Sequence, residues 1–186
     1  LGSSIAIPKP VLATVGGMES LADYLADDFQ LGFRTRAAGY RVVLSTHVVE
    51  DVIGKESFRS TWSRRLRWAR TIRCCRPAGY LGSVTTHGIA LGLVFLCLTR
   101  FAPGGWYTLA AVTILRLCAA ALLAGITGDR HVKRRILLLP LSDLLSAAIF
   151  VASYLGSAIV WRGAVYRLKP DGTLAPVPGR PQSPSA

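Results

Sequence analysis

Two clusters in this sequence combine residue types and spacings suited to chemistry. The first is Arg64, Arg65, Arg67 and Trp68 in SRRLRW, residues 63–68. On a helix, Arg64 and Arg67 stand three apart and share a side, where both can converge on one anion. Guanidinium groups suit a diphosphate because they donate in a planar fork. Trp68, next to Arg67, would pack over a substrate or against a membrane interface. The second cluster is Asp27 and Asp28 in LADDFQLG. Adjacent helical residues point about 100° apart, so one carboxylate can face a cavity while the other meets solvent. A carboxylate in a cavity can serve as a general base for an attacking hydroxyl.

Each cluster has a plainer alternative. The arginines also fit an interfacial helix with snorkelling cations and an aromatic anchor. The aspartates also fit a pair of exposed helix acids, and a lone Asp-Asp is weak evidence for metal binding or base catalysis. Spacing alone leaves both alternatives open.

The elements that must position these residues fall into two halves. Hydrophobic residues make up 51% of the 186-residue chain and charged residues only 17%. Mean hydropathy is +0.40. That is too apolar for an ordinary soluble domain and points to membrane helices. The net charge of +12 calls for anionic partners such as lipid headgroups or a phosphorylated substrate. No nucleic-acid module can be read, so no nucleic-acid partner is expected. Cys74, Cys75, Cys97 and Cys118 form no CxxC or Cys/His ligand set, so reduced thiols are expected.

Composition shifts near residue 80. In residues 1–80, SSIAIPK reads as a short strand and GGMES leads into a helix over roughly 18–38, with Gly39 as its stop. YRVVLST, residues 40–46, reads as a β-branched strand. A basic amphipathic helix is expected over 56–73. Residues 81–162 hold three apolar stretches, 83–99, 106–126 and 136–160. Arg116 interrupts the second, and the third contains Pro140 and Asp143. A span needs ~20 apolar residues. The positive-inside rule places 64–76 and 129–135 in the cytoplasm, which fits two spans between them. A third full span would put the basic tail outside, so ILLLPLSDLL is expected to lie in the interface. Residues 163–186 form the tail, expected to be disordered from about 170 because it is rich in Pro, Gly and Ser.

Arg116 is costly within a span and would pair with a carboxylate or snorkel, and Asp143 is an intramembrane acid with a functional reading by default. His47 and His87 have no ligand partners at usable spacing and read as structural, while His131 belongs to a basic loop. The opening LGSSIAIPKP shows no signal-peptide pattern and reads as the interior of a domain.

GGMESLADYLADDFQLGFRTRAAGYRVVLS, followed further on by RRLRW, resembles the C-terminal half of a processive-type or lipid-acceptor family 2 glycosyltransferase. Those enzymes carry a GT-A domain with a D, D, D, (Q/R)xxRW signature. LADDFQLG with SRRLRWART, then PLSDLL and VWRGAVYRL, is similar to the ceramide glucosyltransferase type, whose bacterial relatives include hopanoid-biosynthesis-associated glycosyltransferases. The similarity covers nearly the whole chain except the tail.

The resemblance implies an α/β GT-A domain, present here only as its C-terminal part over 1–80, followed by transmembrane α-helices. It implies a membrane enzyme, multi-pass, with its catalytic part on the cytoplasmic face. The partners would be a nucleotide-sugar donor and a ceramide- or hopanoid-like lipid acceptor. Asp28 matches the third aspartate, the general base. Arg64, Arg67 and Trp68 match (Q/R)xxRW, which contacts the nucleotide diphosphate and the acceptor-side pocket. The first two aspartates have no counterpart. A divalent metal, Mg or Mn, is expected in the full-length enzyme and no metal site in this chain, which would be inactive alone. A non-catalytic membrane-anchoring or assembly module and a transporter fragment are the other classes open to the sequence.

Overall fold

The computed structural model describes residues 4–46, 54, 56–129, 135–161, 164–169 and 171–177. His47, His131 and Gly163 lie outside the described residues, as does most of the basic loop 129–135. The chain divides into two compact units, one built from Leu1–Pro77 with Ser153–Ala186 and one from Ala78–Ala152.

The first unit begins with α1 (Lys9–Thr14). The segment expected as a strand at its start is irregular up to residue 8. Pro10 sits in the first turn of α1, where its missing N–H costs nothing. Val15, Leu21 and Leu31 form a small core, with Ile7 and Leu12 packed on it. The helix expected over 18–38 is divided. A single 3₁₀ turn covers Glu19–Leu21, and α2 runs only from Asp27 to Ala37. The cause is a distant part of the chain. Asp23 accepts a hydrogen bond from the Leu174 amide at 3.1 Å, and the Leu25 amide donates to Gly172 at 3.4 Å. Backbone groups committed to that pairing cannot also serve a helix. Gly39 does end α2, at φ +87°, a conformation glycine adopts without strain.

The strand expected at 40–46 is not found. The chain there is extended, but residues 40–44 join no ladder among the described residues, and Val42, Val43 and Leu44 are exposed. β-branched composition favours a strand only where a neighbouring strand supplies partners. α3 (Phe58–Cys75) follows the expected basic helix closely, and the hydroxyl of Ser57 caps it by accepting from the Ser60 amide at 3.2 Å.

The remaining strands come from a region read as span and tail. β1 (Ala158–Trp161), β2 (Ala164–Leu168) and β3 (Leu174–Pro176) form an antiparallel sheet in that order. Ile159 pairs with Tyr166, and Arg167 with both Ala158 and Ala175. The tail expected to be disordered from about 170 is therefore ordered through residues 171–177. Gly172, at φ +86°, lies in the turn between β2 and β3. Of the expected α/β class, the described residues show a helix-rich chain with one small sheet.

In the second unit, α4 (Pro77–Gly82) and a 3₁₀ turn lead into α5 (Gly88–Leu98) through a 67° bend. α6 (Pro103–Ile126) packs back on α5. Their close approach needs small residues: a methyl group added to Gly105 would collide with Thr99 and Leu96, and one on Gly88 would come within 2.8 Å of Val112. α7 (Leu139–Tyr154) follows a 3₁₀ turn. The third apolar stretch, read as continuous to 160, therefore ends as a helix at Tyr154 and enters β1. Two segments, Pro103–Ile126 and Ile136–Tyr154, are long and apolar enough to cross a membrane, and the bent pair Pro77–Thr86 and Gly88–Leu98 would make a third if it crosses as one. Arg116 on α6 donates to Asp143 on α7 through Nε at 3.2 Å and through its terminal nitrogen at 2.9 Å. Asp143 is 4% exposed, so the pairing foreseen for Arg116 is with this acid.

Candidate functional site

α3 carries the arginine cluster, and its helical phase places Arg64 and Arg67 side by side. Arg64 is already engaged. Its guanidinium lies 2.9 Å from the Glu56 carboxylate and 5.2 Å from the ring centroid of Trp68. Thr61 also donates to Glu56, at 3.2 Å. Trp68 is half-exposed, with one face covered by the guanidinium.

Arg67 differs. Burial, and then the charge of Arg64, pull its pKa below the ordinary arginine value. Among the described residues its guanidinium has no hydrogen bond or ion pair. A half-buried cation beside a second cation is one that a nearby anion would stabilise. No side-chain partner is described for Arg65 either, but it stands one position away, about 100° round the helix from Arg64.

The three-residue spacing continues to Arg70 and Arg73, which the sequence reading did not single out. Arg70 donates to the carbonyl of Ala158, and Arg73 donates to Gly156 at 3.3 Å and stacks on Tyr154 at 5.1 Å. These two arginines fasten the segment leading into β1 onto α3. Along the run 64, 67, 70, 73, Arg64 pairs with Glu56, Arg70 and Arg73 hold the backbone before and in β1, and Arg67 has no side-chain partner among the described residues. The spacing was visible in the sequence, but the hairpin that occupies Arg70 and Arg73 was not.

Asp27 and Asp28 open α2. Asp27 accepts from the Asp28 amide at 2.9 Å and Asp28 from the Phe29 amide at 2.7 Å. Carboxylates at this end of a helix meet its unpaired N–H groups and the positive end of its dipole. Asp27 is exposed and Asp28 is partly buried, the division expected for adjacent residues. The second oxygen of Asp28 is unoccupied among the described residues.

Cys75, the last residue of α3, lies within the electrostatic reach of Asp28. Burial, then Cys74, then the Asp28 carboxylate push its thiol up to about 11. Asp28 is therefore near the C-terminal end of α3, whereas Arg67 stands eight residues, ~12 Å, back along the axis. The two motifs belong to one compact unit. Beside them a cleft of about 230 Å³ is lined by Phe29, Gln30, Phe33, Cys74, Cys75, Asp171 and Gly172. Among the described residues, no group of three His, Cys, Asp or Glu side chains could hold a metal ion.

The basic helix and the aspartate pair lie in one compact unit, and the other unit carries apolar helices compatible with membrane association. The chain belongs to glycosyl transferase family 21, whose family model matches residues 1–174. The motifs resemble family 2, and the matching model is that of family 21. No curated protein and no solved structure matches the chain.

Proposed function

We propose that this glycosyltransferase moves a sugar from a nucleotide-sugar to the hydroxyl of a membrane lipid of ceramide- or hopanoid-like kind. Asp28 is the general base, and Arg67, steadied by Arg64 and Trp68, holds the leaving diphosphate. The acceptor hydroxyl gives its proton to the Asp28 carboxylate as its oxygen bonds to the anomeric carbon. The bond from that carbon to the diphosphate oxygen breaks, and its electron pair leaves with the nucleoside diphosphate. In-line displacement of this kind inverts the anomeric centre.

The observation that carries this reading is the half-buried, unpaired guanidinium of Arg67 in the same unit as an aspartate with one oxygen to spare. Both residues belong to the same compact unit, as a shared donor site requires. Cations fixed beforehand stabilise charge that develops on the leaving group. The expected divalent metal would add to that stabilisation, but the described side chains offer it no ligand set, so every step above runs through protein groups alone. The GT-A placement of residues 1–80 and the cytoplasmic position of the site rest on the resemblance and on the basic flanks.

The test is an assay of the full-length enzyme in membranes with a panel of nucleotide-sugars and hydroxylated lipids. A glycolipid formed from one donor–acceptor pair supports the proposal. Absence of product with every pair, while the protein remains membrane-bound, would favour an anchoring or assembly role.

A further inference from the structure

The cleft beside Asp28 is assembled from distant parts of the chain. Phe29 and Phe33 of α2 form an apolar wall, their rings 6.3 Å apart and stacked. Cys74 and Cys75 close another side, and Gln30, Asp171 and Gly172 supply the polar groups. Asp171 belongs to the tight turn between β2 and β3. Its Oδ1 accepts from the Thr173 amide at 2.9 Å and from the Thr173 hydroxyl at 2.7 Å. These bonds fix the carboxylate and engage only one oxygen.

The turn is tied to its surroundings on both sides. The Cys74 thiol donates to the Lys169 carbonyl at 3.0 Å, and the Leu174 amide to Asp23 at 3.1 Å. Gly172 holds φ +86°, so the turn depends on glycine at this position. The cleft is thus a built feature of the unit.

We infer that this cleft seats the polar head of a hydroxylated lipid acceptor, with Asp171 and Gln30 binding a hydroxyl other than the one that reacts. The inference rests on the transferase reading and adds a specificity site to it. Its chemistry selects the occupant. The charged group in its lining is the Asp171 carboxylate, offset in part by Lys169 nearby, so a neutral hydroxylated head is favoured over a phosphate. A hydroxyl can donate to that carboxylate in a charge-assisted bond, the Gln30 amide can donate or accept, and the two phenyl rings suit the adjoining carbon chain. At about 230 Å³ the cleft is below the usual range for a whole ligand and suits a head of a few heavy atoms. Its wall residue Phe29 follows Asp28 directly, and Cys75, another lining residue, lies within the electrostatic reach of the Asp28 carboxylate.

The experiment uses the purified enzyme in detergent and a short-chain N-acylated amino-diol as probe. Alkylation of Cys74 is followed by mass spectrometry with the probe, with a nucleotide-sugar, and with an alkyl phosphate. The amino-diol is expected to slow Cys74 alkylation several-fold, and the alkyl phosphate to leave it unchanged. Asp171→Asn keeps the bonds to Thr173 and removes the charge. It is expected to raise the acceptor KM about tenfold with the donor KM unchanged. If the amino-diol gives no protection and the acceptor KM is unaltered, while Asp28→Asn still abolishes transfer, the cleft inference falls and the transferase reading stands. If the full-length wild-type enzyme transfers nothing, the transferase reading falls. The Cys74 footprint, measured without turnover, then still decides whether the cleft takes the lipid head.

Discussion

The guanidinium of Arg64 lies over the indole of Trp68, 5.2 Å from its ring centroid. The same guanidinium is held at 2.9 Å by Glu56. Arg64 is thereby a braced neighbour, and Arg67 is the cation left for a ligand. This relationship turns three arginines of similar appearance into residues with different expected sensitivities.

Arg67→Lys keeps the charge but loses the planar fork, so the rate of transfer should fall by on the order of tenfold or more. Arg65→Lys should transfer at close to the wild-type rate. Membrane partitioning should be the same for both variants. Equal, near-wild-type rates would leave the arginines as a positive-inside flank.

The thiol of Cys75 reports on Asp28 without any turnover. Its pKa is pushed up to about 11, and only the thiolate reacts with an alkylating agent. Alkylation should be slow near pH 8 and accelerate through the range 9 to 11. The stability lent by the neutral thiol is present below its unfolded pKa of about 8.5 and lost as pH rises through the folded value. Asp28→Asn removes one of the influences that raise the pKa, so Cys75 should react faster than in wild type at pH 9. An unchanged profile would mean that the carboxylate is not beside this thiol.

Arg116 and Asp143 form an ion pair between two apolar helices, and the second oxygen of Asp143 is buried without a described partner. Replacing one member strands a charge in apolar surroundings. Arg116→Met or Asp143→Leu alone should lower stability by about 3 kcal/mol, and the double variant should recover most of that loss. Thermal unfolding in detergent measures it. Additive losses would show that the two residues act independently.

The chain leaves the first unit at Pro77 and rejoins it at Ser153. A unit lying on one side of a bilayer requires an even number of crossings in between. Two of the three apolar segments should therefore cross, and the third should lie in the interface or re-enter. Topology reporters inserted at residue 43 and after residue 177 should report the same side, expected to be the cytoplasm. Reporters on opposite sides would contradict this arrangement.

The elements that carry the candidate residues were legible where their signals are local. SRRLRW lies on the helix its spacing predicted, and Asp27 and Asp28 divide between solvent and protein as adjacent helical residues must. What escaped notice depends on distant partners. The helix before Asp27 is broken because Asp23 and Leu25 pair with residues 172–174. The tail becomes a strand because β2 offers it an edge, whereas residues 40–44 stay outside any ladder among the described residues. Asp171 was hidden for the same reason, since a Pro/Gly-rich segment reads as disordered unless its partners are known.

The most direct test compares wild type with Asp28→Asn in the enzyme in membranes, measuring glycolipid formation and nucleotide-sugar binding side by side. Loss of the general base should reduce transfer by on the order of 10²-fold or more, while donor binding stays close to wild type. Near-normal transfer by Asp28→Asn would contradict the account and move the base to Asp27 or off this helix altogether.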